Sequence, residues 1–293
     1  MNGSQSLTQR LGLPLLFVLI WSTGFIGAKF SAPHATPLAL LSLRFGLAGL
    51  IMAAIAVFFR VPWPKGKQAY GQIIAGILLH GIYLGPVFWV ITHGMPAGVT
   101  ALITSLQPFL TVIFAAYFLK DALRKGHIFG LILGLIGVSL VIAPKLTDGF
   151  LGVTPLNVGL MIVAVSAIAL GTVWQKARGG NVDLRTGAGL QYAGATFICL
   201  IGMAIFEEPQ IDFSSPVLWL ALGWLIFGLS IGAISLLLLL LRRGSAGGIA
   251  SFIYLVPGVT AILANLAFGE SLLPLQIFGM VVCAAGVALL QRA

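Results

Sequence analysis

The sequence predicts an all-α polytopic membrane protein, with ten transmembrane helices arranged as two inverted five-helix repeats. Three observations lead there. The 293-residue chain is 59% hydrophobic and only 8% charged, with a mean hydropathy of +1.08, whereas soluble domains carry roughly 25% charged residues. Ten apolar runs are each long enough, at about 20 residues, to cross a hydrocarbon core as helices. Finally, residues 97–140 are written a second time, without a gap, as residues 246–289.

The runs cover residues 12–30, 37–59, 69–92, 97–119, 127–143, 155–176, 186–206, 216–241, 246–268 and 273–291. Short connections separate them, and most carry Pro or Gly: Pro33 and Pro37, Pro62 and Pro64, Gly94 and Pro96, Pro144, Gly179 and Gly180, Pro209 and Pro216. The first run follows a polar segment holding only Arg10 and lacks a small-residue cleavage site, so it is expected to remain as a span. Cys199 and Cys283 lie inside apolar runs without metal-ligand or disulfide spacing and read as packing residues.

The duplication sets Pro108 on Pro257. Gly98, Thr111, Phe129, Gly130 and Gly137 then fall on Gly247, Thr260, Phe278, Gly279 and Gly286, and Asp121 meets Glu270 in the loop between the runs. Leucines and alanines match by chance in apolar chains. The proline, the loop acid and the Phe-Gly pair are harder to match that way, and they mark an internal repeat.

Loop charges orient the bundle. Arg10, Arg60, Lys65, Lys67, Lys120, Arg124, Lys125, Lys176, Arg178, Arg185, Arg242, Arg243 and Arg292 fall on one side; Lys145 faces Asp148, Glu207, Glu208, Asp212 and Glu270 on the other. Basic residues in short loops mark the cytoplasmic side, so both termini are expected there, in a cell (inner) membrane. The net charge of +9 is therefore a topology signal and not a nucleic-acid patch. Five spans per repeat is odd, so residues 11–145 and 155–293 enter the membrane from opposite sides. Two such halves can expose one central site to each side in turn. The competing reading is that duplication only builds a stable bundle.

A carrier's site is expected at the span midpoints. His80 and Tyr83 lie there on one face of the third span. Thr100, Thr104, Gln107 and Thr111 form a polar stripe on the fourth, suited either to a cavity wall or to gluing helices together. Ser22 and Phe25, Ser166, Phe227 and Ser230, and Tyr254 reach similar depth in other spans. The substrate-binding candidates are thus Ser22, Phe25, His80, Tyr83, Thr104, Gln107, Ser166, Phe227, Ser230 and Tyr254. Together they would suit a zwitterion with an apolar side chain. Pro108 and Pro257 break the backbone ladder near the middle of their spans and are candidate hinges. Arg44, about two turns into the second span, reads as a structural charge, with a substrate-carboxylate anchor as the alternative. Gly130, Gly134, Gly137, Gly279 and Gly286 read as close-packing positions, and Trp89 and Trp219 as belts at helix ends.

These residues resemble a known family. Trp21-Ser-Thr-Gly-Phe-Ile-Gly-Ala-Lys29 is similar to the Trp-Gly…Lys signature of the first helix in the drug/metabolite transporter (DMT) superfamily, in its EamA-type members with duplicated five-helix halves. Pro37…Arg44-Phe45, Leu106-Gln-Pro-Phe109 and Gly269-Glu270 resemble further motifs of those transporters, with Ser22 where Gly is usual and Lys120-Asp121 as a weaker form of Gly-Glu. The resemblance covers essentially the whole chain. Within the superfamily the chain most resembles YddG-type exporters of aromatic and other amino acids. It implies the EamA/DMT fold, alternating-access export of small amphipathic metabolites, and hydrophobic amino acids as substrates. Cationic drugs, nucleosides and sugars remain as alternatives, and an intramembrane lipid-processing enzyme as a remote one. No cofactor, metal or nucleic acid is expected; the partners are a small-molecule substrate and the lipid bilayer, with the protein a monomer or at most a weak dimer.

Overall fold

A computed structural model describes residues 7–120, 125–147, 152–178, 182–236, 255–270 and 273–292. Among the described residues the elements are helices, apart from one isolated antiparallel β-bridge between Ala35 and Ile211. They are α1 (Leu7–Ser31), α2 (Pro37–Phe58), α3 (Gly66–Thr92), α4 (Ala97–Leu119), α5 (Lys125–Thr147), α6 (Pro155–Arg178), α7 (Leu184–Phe206), α8 (Pro216–Leu236), α9 (Val256–Phe268) and α10 (Pro274–Arg292). α1 to α4 and α6 to α8 hold seven segments long and apolar enough to cross a membrane. Ile128–Gly137, Val256–Phe268 and Pro274–Gly286 are shorter apolar helices.

Local chemistry explains several boundaries. Pro37 and Pro216 open α2 and α8 at a position whose N–H would have no helical partner anyway. The next amides of α2 find a carboxylate far away in sequence: Leu38 N donates to both Glu207 oxygens at 3.0 Å, and Ala39 N to Oε2 at 3.3 Å. Asp183 and Ser215 cap α7 and α8 with their own side chains. α4 and α9 both end on a left-handed residue, Lys120 (φ 59°) and Gly269 (φ 68°).

α3 and α8 each contain a π-helical stretch, Ile77–Ile82 and Trp224–Ala233. Pro86 lies just beyond the first and cannot donate to the Ile82 carbonyl, which loosens the ladder there. The second holds Gly232, where a Cβ would come within 2.9 Å of the Phe227 carbonyl, so the wide turn requires the missing side chain.

Helix neighbours follow a pattern. α2 packs on α7, α5 on α10, and the first half of α4 on α9. α3 lies against α6 and α7, as α8 lies against α1 and α2; the second half of α4 meets α6, as α9 meets α1. Exchanging α1–α5 with α6–α10 leaves this set of neighbours the same. The α5–α10 seam is glycine-lined as expected: a Cβ on Gly137 would be 2.5 Å from the Cys283 amide, and one on Gly286 2.8 Å from the Gly130 carbonyl. Outward faces carry exposed Leu50, Phe197, Leu220 and Leu266, a surface that suits lipid tails.

At one end the α1–α2 and α7–α8 connections pair. Thr36 N donates to Gln210 O at 2.9 Å and Asp212 N to His34 O at 2.8 Å. The Ser214 hydroxyl and amide hold the Asp212 carboxyl below the usual carboxylate range. At the same end Lys29 of α1 forms an ion pair with Glu270, beside the first amide of α4 at Ala97.

Candidate functional site

The site begins with two prolines. In α4 the helix Ala97–Thr104 ends and a second one, Gln107–Leu119, begins with Pro108 at its second position. Pro108 has no N–H for the Thr104 carbonyl, and its ring crowds that carbonyl, so the α geometry fails at Ser105 and Leu106. α9 opens identically on Val256 and Pro257, and the residues before the two helices share one conformation: Leu106 φ −73°, ψ −9° and Leu255 φ −77°, ψ −18°.

Between these two breaks lies a cavity of about 40 Å³. Its wall combines Phe25 of α1, Tyr83 of α3, Thr104, Gln107 and Pro108 of α4, and Pro257 of α9, all six singled out from the sequence, with Trp21, Ala101, Ser105, Ile168 and Val256. The volume suits one or two waters and is far below the roughly 300 Å³ of a small-molecule site. The wall is aromatic and aliphatic, with a few hydroxyl and amide groups. Gln107 Nε2 reaches Thr172 Oγ1 of α6 at 3.4 Å. The Ser105 hydroxyl donates to Leu102 O at 2.5 Å and lies 3.3 Å from Cys283 Sγ.

The polar stripe of α4 therefore divides. Thr100, Thr104 and Thr111 all donate to the carbonyl four residues back, Pro96, Thr100 and Gln107, at 3.0, 2.9 and 2.8 Å. Of the four stripe residues only Thr104 and Gln107 reach the cavity; Thr100 is fully buried. Ser22 is also fully buried and does not line the cavity, because its hydroxyl turns to the Val18 carbonyl at 2.7 Å, with Val256 O at 3.4 Å.

His80 belongs to a second, neighbouring cluster. Its Nε2 lies 3.3 Å from Gln191 Oε1, while Gln191 Nε2 donates to Gln72 Oε1 at 2.7 Å. The His80 ring lies 5.1 Å from Tyr192 and 5.8 Å from Phe45, and Phe45 and Tyr192 stack at 5.9 Å. Tyr192 Oη donates to the Ser230 carbonyl at 2.5 Å, and Arg44 Nε to Ser230 Oγ at 3.1 Å. Arg44 is thus tied across the halves to a neutral hydroxyl in the π stretch of α8, and not to the acidic loops.

Two sequence candidates fall elsewhere. Phe227 is 63% exposed and turned outward, a correction to its expected place beside Ser230. A π turn holds more residues than an α turn, so the step per residue falls from about 100° to roughly 80°. Residues three apart then diverge by roughly 120° instead of 60°. Ser166 is half-buried on α6, away from the cavity wall. Tyr254 lies outside the described residues. Conversely, Trp21, Gln191 and Tyr192 were missed. Trp21 had a signal, since it precedes Phe25 by four residues and shares its face.

A bundle of long apolar helices around a polar-edged central cavity defines a multi-pass membrane protein. The chain belongs to the EamA-like transporter family, which matches residues 11–143 and again residues 156–292. It is a membrane transporter of that family. It is 25% identical to the uncharacterized transporter YvbV of Bacillus subtilis over 96% of this chain and 92% of that one. It is 27% identical to a probable amino-acid metabolite efflux pump of Salmonella typhimurium, over 94% and 92%. It is 24% identical to the uncharacterized inner membrane transporter YedA of Escherichia coli, over 92% and 86%. These relatives are named as transporters or efflux pumps, not as enzymes. A crystal structure at 21% identity superposes with a TM-score of 0.65, covering 96% of each chain, and shares the fold.

Proposed function

We propose that the chain is a ten-span carrier that exports small amphipathic metabolites, foremost aromatic and other hydrophobic amino acids, by alternating access. The observation that carries this reading is the cavity bounded by Pro108 and Pro257, one proline from each copy of the repeat. Residues 11–145 and 155–293 act as inverted halves, with both termini cytoplasmic. The exchange-symmetric helix neighbours and the like-shaped breaks before both prolines support this, since each facing state should resemble the other with the halves swapped. The amino-acid reading draws on the mixed wall of Trp21, Phe25, Tyr83, Thr104 and Gln107, and on the efflux pump named above. At about 40 Å³ the cavity is a closed state that must widen to admit a substrate.

An organic cation is the competing substrate, because the ring faces of Trp21, Phe25 and Tyr83 could hold one by cation–π attraction. Counterflow decides the class. Proteoliposomes preloaded with unlabelled L-phenylalanine should accumulate external labelled phenylalanine transiently and saturably. Uptake without trans-stimulation would indicate a channel, and no uptake would remove the amino-acid reading.

A further inference from the structure

We propose that Arg44 is the seat for a carboxylate of the transported molecule. The inference rests on the amino-acid reading above and gives it a specific contact. Arg44 sits inside α2 with only 6% of its surface exposed, in a chain whose outer faces meet lipid. A charge at such depth is ordinarily paired with an acid or with several carbonyls. Here, among the described residues, its hydrogen bond is one: Nε to Ser230 Oγ at 3.1 Å. Its own neighbour Phe45 presents a ring 5.3 Å from Cζ. Among the described residues no carboxylate pairs with it.

This arrangement differs from an ion-pair tie to a carboxylate. A tie would use the guanidinium fork, two parallel N–H groups on one carboxylate. In this protein the single Nε bond fixes the plane of the group and leaves the Nη edge without a hydrogen-bond partner among the described residues. Ser230 is itself fixed, because its carbonyl accepts from Tyr192 Oη. His80, whose ring lies 5.8 Å from Phe45, and Tyr83, which lines the cavity between the prolines, stand about one turn apart on α3, so that helix runs from the Arg44 cluster to the cavity. A substrate carboxylate entering as the cavity widens would supply the missing counter-charge, while its apolar side chain lies against Trp21 and Phe25. An organic cation of the same shape would be repelled.

Three probes with one ring separate the possibilities: L-phenylalanine, 3-phenylpropionate and 2-phenylethylamine, titrated onto the purified full-length protein in lipid nanodiscs. The two carboxylates should bind at least tenfold more tightly than the amine. Arg44→Gln should weaken both carboxylates at least tenfold without weakening the amine, and Arg44→Lys, which keeps the charge and loses the fork, should fall between. Equal binding of all three probes to the parent, or unchanged carboxylate binding in Arg44→Gln, would overturn the seat while leaving the amino-acid reading intact. Binding of none of the three would remove that reading and the seat with it. If Arg44→Gln fails to fold, the parent's order of probes and the Arg44→Lys variant still decide.

Discussion

The contact between α3 and α7 allows a sharp test, because it is made by glycines. A Cβ added at Gly76 would sit 1.9 Å from the Gln191 carbonyl oxygen. Ordinary contact begins near 3.4 Å, so the helices would have to part by about 1.5 Å. Gly194 and Gly81 are nearly as tight, with hypothetical Cβ atoms 2.5 Å from the Ile73 carbonyl and 2.2 Å from the Ile198 side chain. A shift of that size carries the Gln191–Gln72 bond, now 2.7 Å, out of hydrogen-bond range, and His80–Gln191 with it. Overpacking costs typically about 1–3 kcal/mol. Two lost intramembrane hydrogen bonds add about 0.6 kcal/mol each. Gly76→Ala should therefore destabilise by about 2–4 kcal/mol. Gly159→Ala is the control: it meets no atom within 4 Å and should be neutral or slightly stabilising. Graded unfolding in SDS micelles, followed by intrinsic fluorescence, measures the difference. If Gly76→Ala and Gly159→Ala unfolded together, the close α3–α7 seam would be wrong.

Two further outcomes follow from local geometry and from the loop charges. Lys120 holds a left-handed conformation that its mirror position fills with Gly269, so Lys120→Gly should stabilise by about 1 kcal/mol and Lys120→Ala should not, in the same SDS assay. Single cysteines placed at the exposed positions Gln210 and Lys67 should react with an impermeant thiol reagent from outside and from inside the cell, respectively; the reverse labelling would overturn the inverted arrangement.

Much of this architecture was legible because it is written in local chemistry. Pro37, Pro155, Pro216 and Pro274 open helices where the apolar runs begin, and the α4 span ends where expected, at Leu119. Part of the cavity wall was legible from depth along the spans: Phe25, Tyr83, Thr104 and Gln107 all reach it. The failures have physical causes. Phe227 was misplaced because π turns change the angle between residues, and nothing in the composition of residues 224–233 announces them apart from Gly228 and Gly232. Ser22 lies at the right depth, but its hydroxyl bonds back along its own helix. Glu207 on the α2 amides and Ser230 under Arg44 join residues more than 160 positions apart, which no local pattern encodes.

The proposed alternating-access cycle uses the two proline breaks as its paired hinges. The measurement that reaches it directly is the facing state of Pro108→Ala and Pro257→Ala, read from distances between spin labels placed across each side of the bundle in nanodiscs. Alanine restores the hydrogen bond that each proline withholds, so one half should straighten while the other still bends. Both variants should exchange substrate slowly, and symmetry requires that one favour the outward-open state and the other the inward-open state. Two variants biased to the same side, or distance distributions and transport rates unchanged from the parent, would contradict the claim and leave the prolines as packing features.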